Sequence, residues 1–191
     1  MLTEITVILD RSGSMQSIAT DAIGGFNAFL AAQRREPDSE TTRLTLVLFD
    51  DQYEVPCKSI HLAEVPDLTA ATFLPRGSTA LLDAIGRSLS KMTRSFAARP
   101  AETKPGKIIL AILTDGHENA SRDYTQKHIA DLITEKRAQG WEFLFLAADQ
   151  DAIATAATLS IPREDAVDYA RIDSAHAFHA MSDLVSEKRR K

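Results

Sequence analysis

Apolar side chains fall along this chain in two alternating rhythms. Leu2 to Asp10 carries Ile5, Val7, Ile8 and Leu9, a nearly unbroken β-branched run of strand length that ends in an aspartate. A continuous run of this kind suits a strand buried on both faces. From about Gln16 to Arg35 the spacing changes: Ile18, Ala22, Phe26, Phe29 and Leu30 recur at intervals of three and four, one stripe of a helix, which Glu36-Pro37-Asp38-Ser39 ends. Arg43 to Phe49 predicts a second strand. Asp50-Asp51-Gln52 turns it into a third, Tyr53 to Ile60. So short a connection implies an antiparallel hairpin, and Pro56, which has no N–H to donate, puts the third strand at a sheet edge.

Leu62 to Ser78 reads as loop. Thr79 to Ala97 returns to helix, with Leu82, Ile85, Leu89 and Met92 inward. After a polar linker over Pro100 to Gly106, Lys107 to Thr114 is the most apolar strand and predicts a central position. The rhythm then repeats: helix over Thr125 to Gln139 with Gly140 at its C-cap, strand over Trp141 to Ala147, short helix over Asp149 to Leu159, strand over Ala166 to Ala170 and helix from Ser174 to about Lys188. Strand–helix alternation implies right-handed crossovers. The expected fold is α/β and doubly wound: a mainly parallel six-stranded sheet, one antiparallel edge strand, helices on both faces. Residues 1–173 are expected to form one domain, with 174–191 a helix packed on it that ends in a basic tip. Lys188-Arg189-Arg190-Lys191 is expected to be a solvated, frayed end.

Composition narrows the function. A net charge of -5 argues against non-specific binding to nucleic acid or to an anionic membrane. Cys57 is the single cysteine, so no intrachain disulfide forms, which fits a reducing compartment. The chain enters a strand almost at once, without the basic segment of a signal peptide, and its longest apolar run is Ile108 to Leu113, too short to span a bilayer. The expectation is a soluble, cytoplasmic protein.

In a doubly wound sheet, ligands bind at the carboxyl ends of the strands. Three segments lead to that edge: Asp10-Arg11-Ser12-Gly13-Ser14 after the first strand, Gly77-Ser78-Thr79 before a helix, and Thr114-Asp115-Gly116 after the central strand. Alone, each has an ordinary explanation. The first is a polar turn, the threonine a helix cap, the Asp-Gly another turn. Together they offer two carboxylates and three hydroxyls, and with waters such a set fills the octahedral oxygen shell that Mg²⁺ demands.

The order Asp-x-Ser-x-Ser, distant Thr, Thr-Asp-Gly resembles the metal-ion-dependent adhesion site of von Willebrand factor type A domains, and the resemblance runs over nearly the whole chain. It implies Asp10, Ser12, Ser14, Thr79 and Asp115 as the metal positions and a Rossmann-like fold. In that family the hydroxyls bind the cation directly, and the aspartates bind it directly or through water. One position is left for a carboxylate of another protein. The compact build and Thr114-Asp115-Gly116-His117-Glu118-Asn119 look like the free-standing bacterial or phage members. Related domains serve as adaptors beside AAA-type ATPases and metal chelatases. The resemblance thus implies a Mg²⁺ (or Mn²⁺ or Ca²⁺) cofactor and a partner protein supplying Glu or Asp, with neither nucleic acid nor membrane as a target.

Other polar residues have smaller expected roles. His117, Glu118 and Asn119 read as a polar loop or as support for the site. Asp83 reads as a helix-start acid or as an orienting group, and Arg11 as solvent-facing. His176 and His179 stand three apart without a third ligand nearby; His61 and His128 stand alone; Cys57 reads as a packing residue. The strand-one aspartate also occurs in haloacid-dehalogenase phosphatases, which need a second aspartate where this chain has Ser12. Gly-x-Ser-x-Gly, P-loop and His-Glu-x-x-His patterns are missing. The expected function is a non-enzymatic, cation-dependent protein-binding module. The alternative is a Mg²⁺-dependent hydrolase or phosphotransferase that uses the same ion to polarise a phosphate.

Overall fold

The computed structural model describes residues 1–148, 152–169 and 174–191. The strands are β1 (Thr3–Asp10), β2 (Thr42–Phe49), β3 (Tyr53–His61), β4 (Lys107–Thr114), β5 (Glu142–Ala148) and β6 (Ala166–Tyr169). They form one six-stranded sheet in the order β3-β2-β1-β4-β5-β6. All pairings are parallel except β2 with β3, the hairpin at one edge. Every residue of β1 is buried, and in β4 only Lys107 is not, as their unbroken apolar runs require of the two central strands.

Among the described residues, five α-helices cover the sheet: α1 (Ala19–Gln33), α2 (Leu81–Ala97), α3 (Gln126–Ala138), α4 (Ala152–Thr158) and α5 (Ser174–Arg190). Alternation along the strands divides the core in two. Ile5, Val7 and Leu9 of β1 face α1 and α5, meeting Phe26, Phe29, Leu30, Phe178 and Met181. Ile8, Leu110, Ile112, Phe143 and Phe145 face the other way, onto Ile85 and Leu89 of α2 and Ile129 and Ile133 of α3. Burying each such side chain contributes about 1.5–3 kcal/mol relative to leaving it exposed.

β3 departs from simple alternation. Leu46 lies opposite Cys57, Leu44 opposite Ile60 and Leu48 opposite Glu54, so three steps on β3 twice match two on β2. Each mismatch is a β-bulge. One contains Pro56; the other contains Ser59, whose φ of 49° is left-handed. Bulges and a proline on the edge strand discourage pairing with a further chain.

The structure corrects several boundaries. A 3-10 segment over Gly13–Ile18 precedes α1, so α-helix starts at Ala19 and not near Gln16. α2 begins at Leu81, leaving Thr79 in the loop ahead of it. The loop after β3 opens with a 3-10 turn over Leu62–Glu64. Asp149–Asp151 and Ala170–Asp173 lie outside the described residues, and with them the first turn assigned to the fourth helix and the 173/174 boundary.

The basic tip is the largest correction. Lys188 is 9% exposed and Arg189 6%, so half of the tip is packed on the domain, while Arg190 and Lys191 alone extend into solvent. The Arg189 guanidinium grips both carboxylate oxygens of Asp38 and donates to the Gln33 carbonyl (3.0 Å), Gln33 Oε1 (2.8 Å) and Thr42 Oγ1 (3.0 Å). Lys188 Nζ lies 2.7 Å from Asp165 and 2.8 Å from Glu142. Counting charge along the sequence could not reveal those acids, which come from distant segments. No helix among the described residues is long and apolar enough to cross a membrane.

Candidate metal centre

Strand register sets the first part of the site. Leu9 of β1 pairs with Leu113 of β4, so Asp10 and Thr114 follow side by side at the carboxyl edge. Asp10 Oδ2 accepts the Thr114 hydroxyl at 2.5 Å, and Oδ1 accepts the Ser12 N–H at 2.6 Å. The second bond closes an Asx turn that reverses the chain directly after the strand. The Ser12 carbonyl then accepts the Met15 N–H at 3.0 Å, starting the 3-10 segment. This tight winding puts Ser12 Oγ and Ser14 Oγ on one side, 3.1 Å apart.

β4 delivers the next part. Asp115 follows Thr114, and its Oδ1 accepts the Ser14 hydroxyl at 2.6 Å, linking two edges that are far apart in sequence. Gly116 lies beneath. A Cβ there would sit 3.0 Å from Thr79 Oγ1, 3.4 Å from Ser14 Oγ and 3.8 Å from Ser12 Oγ. The three hydroxyls therefore converge on the one residue that has no side chain to fill the space between them.

Thr79 arrives on a loop held from both sides. Gly77 adopts φ +67° and its carbonyl accepts the Gly13 N–H at 3.1 Å; a Cβ at Gly77 would fall 2.3 Å from Asp51 Oδ1. Only glycine meets both demands. Asn119 holds the other side: its Oδ1 accepts the Thr79 N–H (2.9 Å), and its own N–H donates to the Thr79 carbonyl (3.0 Å). Glu118 accepts the backbone N–H groups of Leu82, Ala120 and Ser121, and Asp83 accepts those of Arg122, Asp123 and Tyr124. The loop after β4 is thus tied to the start of α2. Thr79 does not cap α2, whose N-cap, Ala80, has no side-chain cap bond.

All five residues singled out in the sequence meet at this edge. Asp10, Ser12, Thr79 and Asp115 are buried, and Ser14 is half-buried. Asp83 is also buried and holds the loop after β4, so of the two expectations for it, a first-turn acid or an orienting group, it is not an exposed helix-start acid. Glu118 and Asn119 are structural supports of the loop, while His117 is exposed. Thr114 and Asn119 carry roles that composition could not suggest. Strand register was the available signal for Thr114.

Arg11 is a second correction. It is 4% exposed, not solvent-facing. Its guanidinium pairs with Asp50 (3.1 Å) and Glu54 (2.9 Å), and Arg76 joins the same two acids at 2.9 and 2.6 Å. Asp50 is itself fully buried, and its carbonyl accepts the Ala80 N–H at 2.9 Å. This network ties the first loop to the Thr79 loop. The hydrogen bond from Arg11, ahead of the other influences, holds Glu54 below the usual carboxylate range.

Electrostatically the centre wants a cation. Burial pushes Asp10 up to about 6 although Thr114 and Ser12 both donate to it, and the neighbouring Asp115 adds to the rise. The donor set is three hydroxyls around a space one Cβ would fill, with the Asp115 carboxylate bonded to one of them and the Asp10 carboxylate to the Ser12 N–H, and this fits a hard divalent ion that takes oxygen ligands. His176 and His179 are not part of any such assembly: among the described residues no group of three or more His, Cys, Asp or Glu side chains is placed to hold a metal.

No protein-family profile matches the sequence, and no curated protein does. Solved structures match over nearly the whole chain. The vWF domain of the type V pili tip protein Mfa5 from Porphyromonas gingivalis has a TM-score of 0.66 at 12% identity, covering 96% of this chain and 95% of that one. Manganese-loaded TRAP protein from Plasmodium vivax gives 0.64 at 15%, over 92% and 71%. Proximal thread matrix protein 1 from the mussel byssus, in a structure with a zinc-occupied MIDAS motif, gives 0.65 at 13%, over 97% of this chain and 46% of that one. The chain therefore spans less than half the length of the mussel protein. What these similarities establish is the fold: it is that of the von Willebrand factor type A domain.

Proposed function

We propose that this chain is a divalent-cation-dependent protein-binding module. Asp10, Ser12, Ser14, Thr79 and Asp115 hold the ion, directly or through water, and an acidic side chain of a partner completes its coordination. The observation that carries this reading is the convergence of the three hydroxyls on Gly116, with Asp115 bonded to Ser14. Two aspartates roughly neutralise a divalent ion, while the hydroxyl ligands add no charge, so the ion stays attractive to one more anionic oxygen. Mg²⁺ is the proposed resident ion, with Mn²⁺ or Ca²⁺ as substitutes. Neighbours of the same fold whose metal-loaded or zinc-occupied sites are described support a cation, and a pilus adhesin and a pilus tip protein among them support a binding role.

The chain's own residues hold the ligands in place. Thr114 orients Asp10, Asn119 positions Thr79 from both of its backbone groups, and the Arg11–Asp50–Arg76 network fixes the two loops relative to each other. Calorimetric titration with Mg²⁺ and Mn²⁺ tests the ligands: the wild type binds, and Asp10→Ala and Thr79→Ala bind at least about tenfold more weakly, a loss of roughly 1.4 kcal/mol or more. Capture of a partner from the native host is expected with Mg²⁺ and is abolished by chelator. Variants that bind the cation as the wild type does overturn the ligand set. Mg²⁺-dependent turnover of phosphate esters, lost in Asp10→Ala, would replace the binding role by the enzymatic alternative.

A further inference from the structure

A second concavity lies at the opposite end of α2 from the proposed metal centre. A cleft of about 630 Å³ opens between the carboxyl-terminal half of α2 and strands β1, β2 and β3, and none of the five proposed metal ligands lines it. Its size lies within the range of pockets that take small organic ligands. Val47, Val55 and Met92 give it apolar walls, and the rings of Tyr53 and Phe96, each with a cation over one face (Lys91 at 4.2 Å and Arg99 at 4.8 Å), complete them.

Its charge is one-sided. Lys58, Lys91 and Arg94 line it, and among the described residues none of the three forms an ion pair. Lys91 Nζ sits 4.2 Å from the centre of the Tyr53 ring. Burial first, then the charges of Arg87, Lys58 and Arg94, hold the Lys91 ammonium below its usual range. The acid bonded to two of the lining residues is already occupied: Glu4 Oε1 accepts from Arg99 (2.7 Å) and from the Ser59 hydroxyl (2.6 Å). Three exposed cations gathered without counter-charge, in a chain of net charge -5, give this end of the molecule a local positive potential that draws an anion.

The backbone is shaped for this. Lys58 and Ser59 together oppose the single residue Thr45, forming the second bulge of β3. Ser59 adopts φ 49°, and its N–H donates to Thr45 Oγ1 at 2.9 Å. A left-handed conformation at a residue other than glycine has a free-energy cost, and such residues cluster where a side chain must be aimed. Without the bulge, strict alternation would turn Lys58 and Ser59 to opposite faces of the sheet; with it, both line the cleft.

We propose that this cleft binds a phosphate ester carrying a flat apolar body, the chemistry of a nucleoside phosphate. One carboxylate would offset one of the three cations, whereas a diphosphate offsets all three, and the aromatic walls suit a stacked heterocycle. The test is calorimetric titration with ADP in excess chelator, so that no cation at the Asp10 edge takes part. ADP should bind with a Kd below about 1 mM, more tightly than pyrophosphate, and adenosine should bind more weakly than either. The double variant Lys91→Glu/Arg94→Glu, altered only at exposed positions, should weaken ADP by about tenfold or more. Its cation titration, read separately without chelator, should match the wild type and so report an intact fold. No ADP binding at several millimolar (roughly the concentration where Kd is near 1 mM) overturns the proposal. So does an undiminished affinity in the folded double variant, or adenosine binding as tightly as ADP.

Discussion

Asp10 carries an electrostatic cost in the site, and its consequence can be measured without any partner. Its folded pKa is about 6 against an ordinary 3.8, because burial disfavours the charged form. A carboxylate whose pKa rises on folding binds more protons in the native than in the unfolded state between those two values. Native stability in the absence of a cation therefore falls as pH rises from about 4 to about 6, and the cost is fully present above that range. Asp10→Asn removes the charge and keeps the shape; Thr114, which already lies 3.1 Å from the Gly116 carbonyl, has another acceptor for its proton. In chelator at pH 7.5 this variant should be more stable than wild type by on the order of 2–3 kcal/mol, and the gap should close towards pH 4.5. Thermal melts at both pH values check this, and a variant less stable at pH 7.5 refutes it. Saturating Mg²⁺ should raise the wild-type Tm and leave the variant unmoved. At this scale the sequence was informative where spacing alone brings oxygens together, as in Asp10, Ser12 and Ser14. It was uninformative about Arg11, because the acids that bury it, Asp50 and Glu54, come from the next hairpin.

Helix α1 shows what an element-level pattern can and cannot reveal. Its apolar stripe was legible, but Gly24 and Gly25 sit in its middle, where each costs helix stability relative to alanine. Packing explains one of them. A Cβ on Gly25 would lie 2.2 Å from the ring of Phe178, a buried residue of α5, so the two helices approach too closely for any side chain there. Nothing lies within 4 Å of the same atom built on Gly24, and the structure offers no reason for that glycine. Gly25→Ala should therefore destabilise by about 1–3 kcal/mol despite the gain in helix propensity. Gly24→Ala should instead be neutral or stabilising by up to about 1 kcal/mol. Urea midpoints of the two variants test the pair, and equal midpoints would contradict the packing account. The edge strand was legible in the same partial way. Pro56 marked it as an edge, yet its two bulges depend on pairing with β2, and no periodicity within β3 announces them.

On the scale of the molecule, the two ends of the sheet serve different purposes. Loops at the carboxyl edge gather the oxygens of the proposed metal centre. The amino edge is clamped by the end of α5, and there the sequence misled most, since a run of four cations at the end of a chain ordinarily extends into water. Here Lys107 Nζ donates to the Arg189 carbonyl at 2.7 Å, Lys188 reaches Asp165 and Glu142, and Arg189 joins Asp38, Gln33 and Thr42. One turn of helix thereby joins the entries of β2, β4, β5 and β6. Arg189→Ala leaves the Gln33 and Thr42 acceptors buried without their donor, together with half of a largely desolvated ion pair, and such losses cost about 3–5 kcal/mol. Asp38 keeps 35% of its side chain in solvent, which lowers the expectation to about 2–4 kcal/mol. Arg190→Ala, at a side chain 66% exposed whose nearest acid is 3.8 Å away, should cost less than about 0.5 kcal/mol. Chemical denaturation separates the two, and equal losses would mean that the tip acts only through its net charge. Because the clamp and the metal centre lie at opposite edges, Arg189→Ala should lower Tm while leaving the Mg²⁺ titration of the folded protein unchanged. A parallel loss of cation affinity would show instead that the seating of α5 sets the geometry of the Asp10 loop.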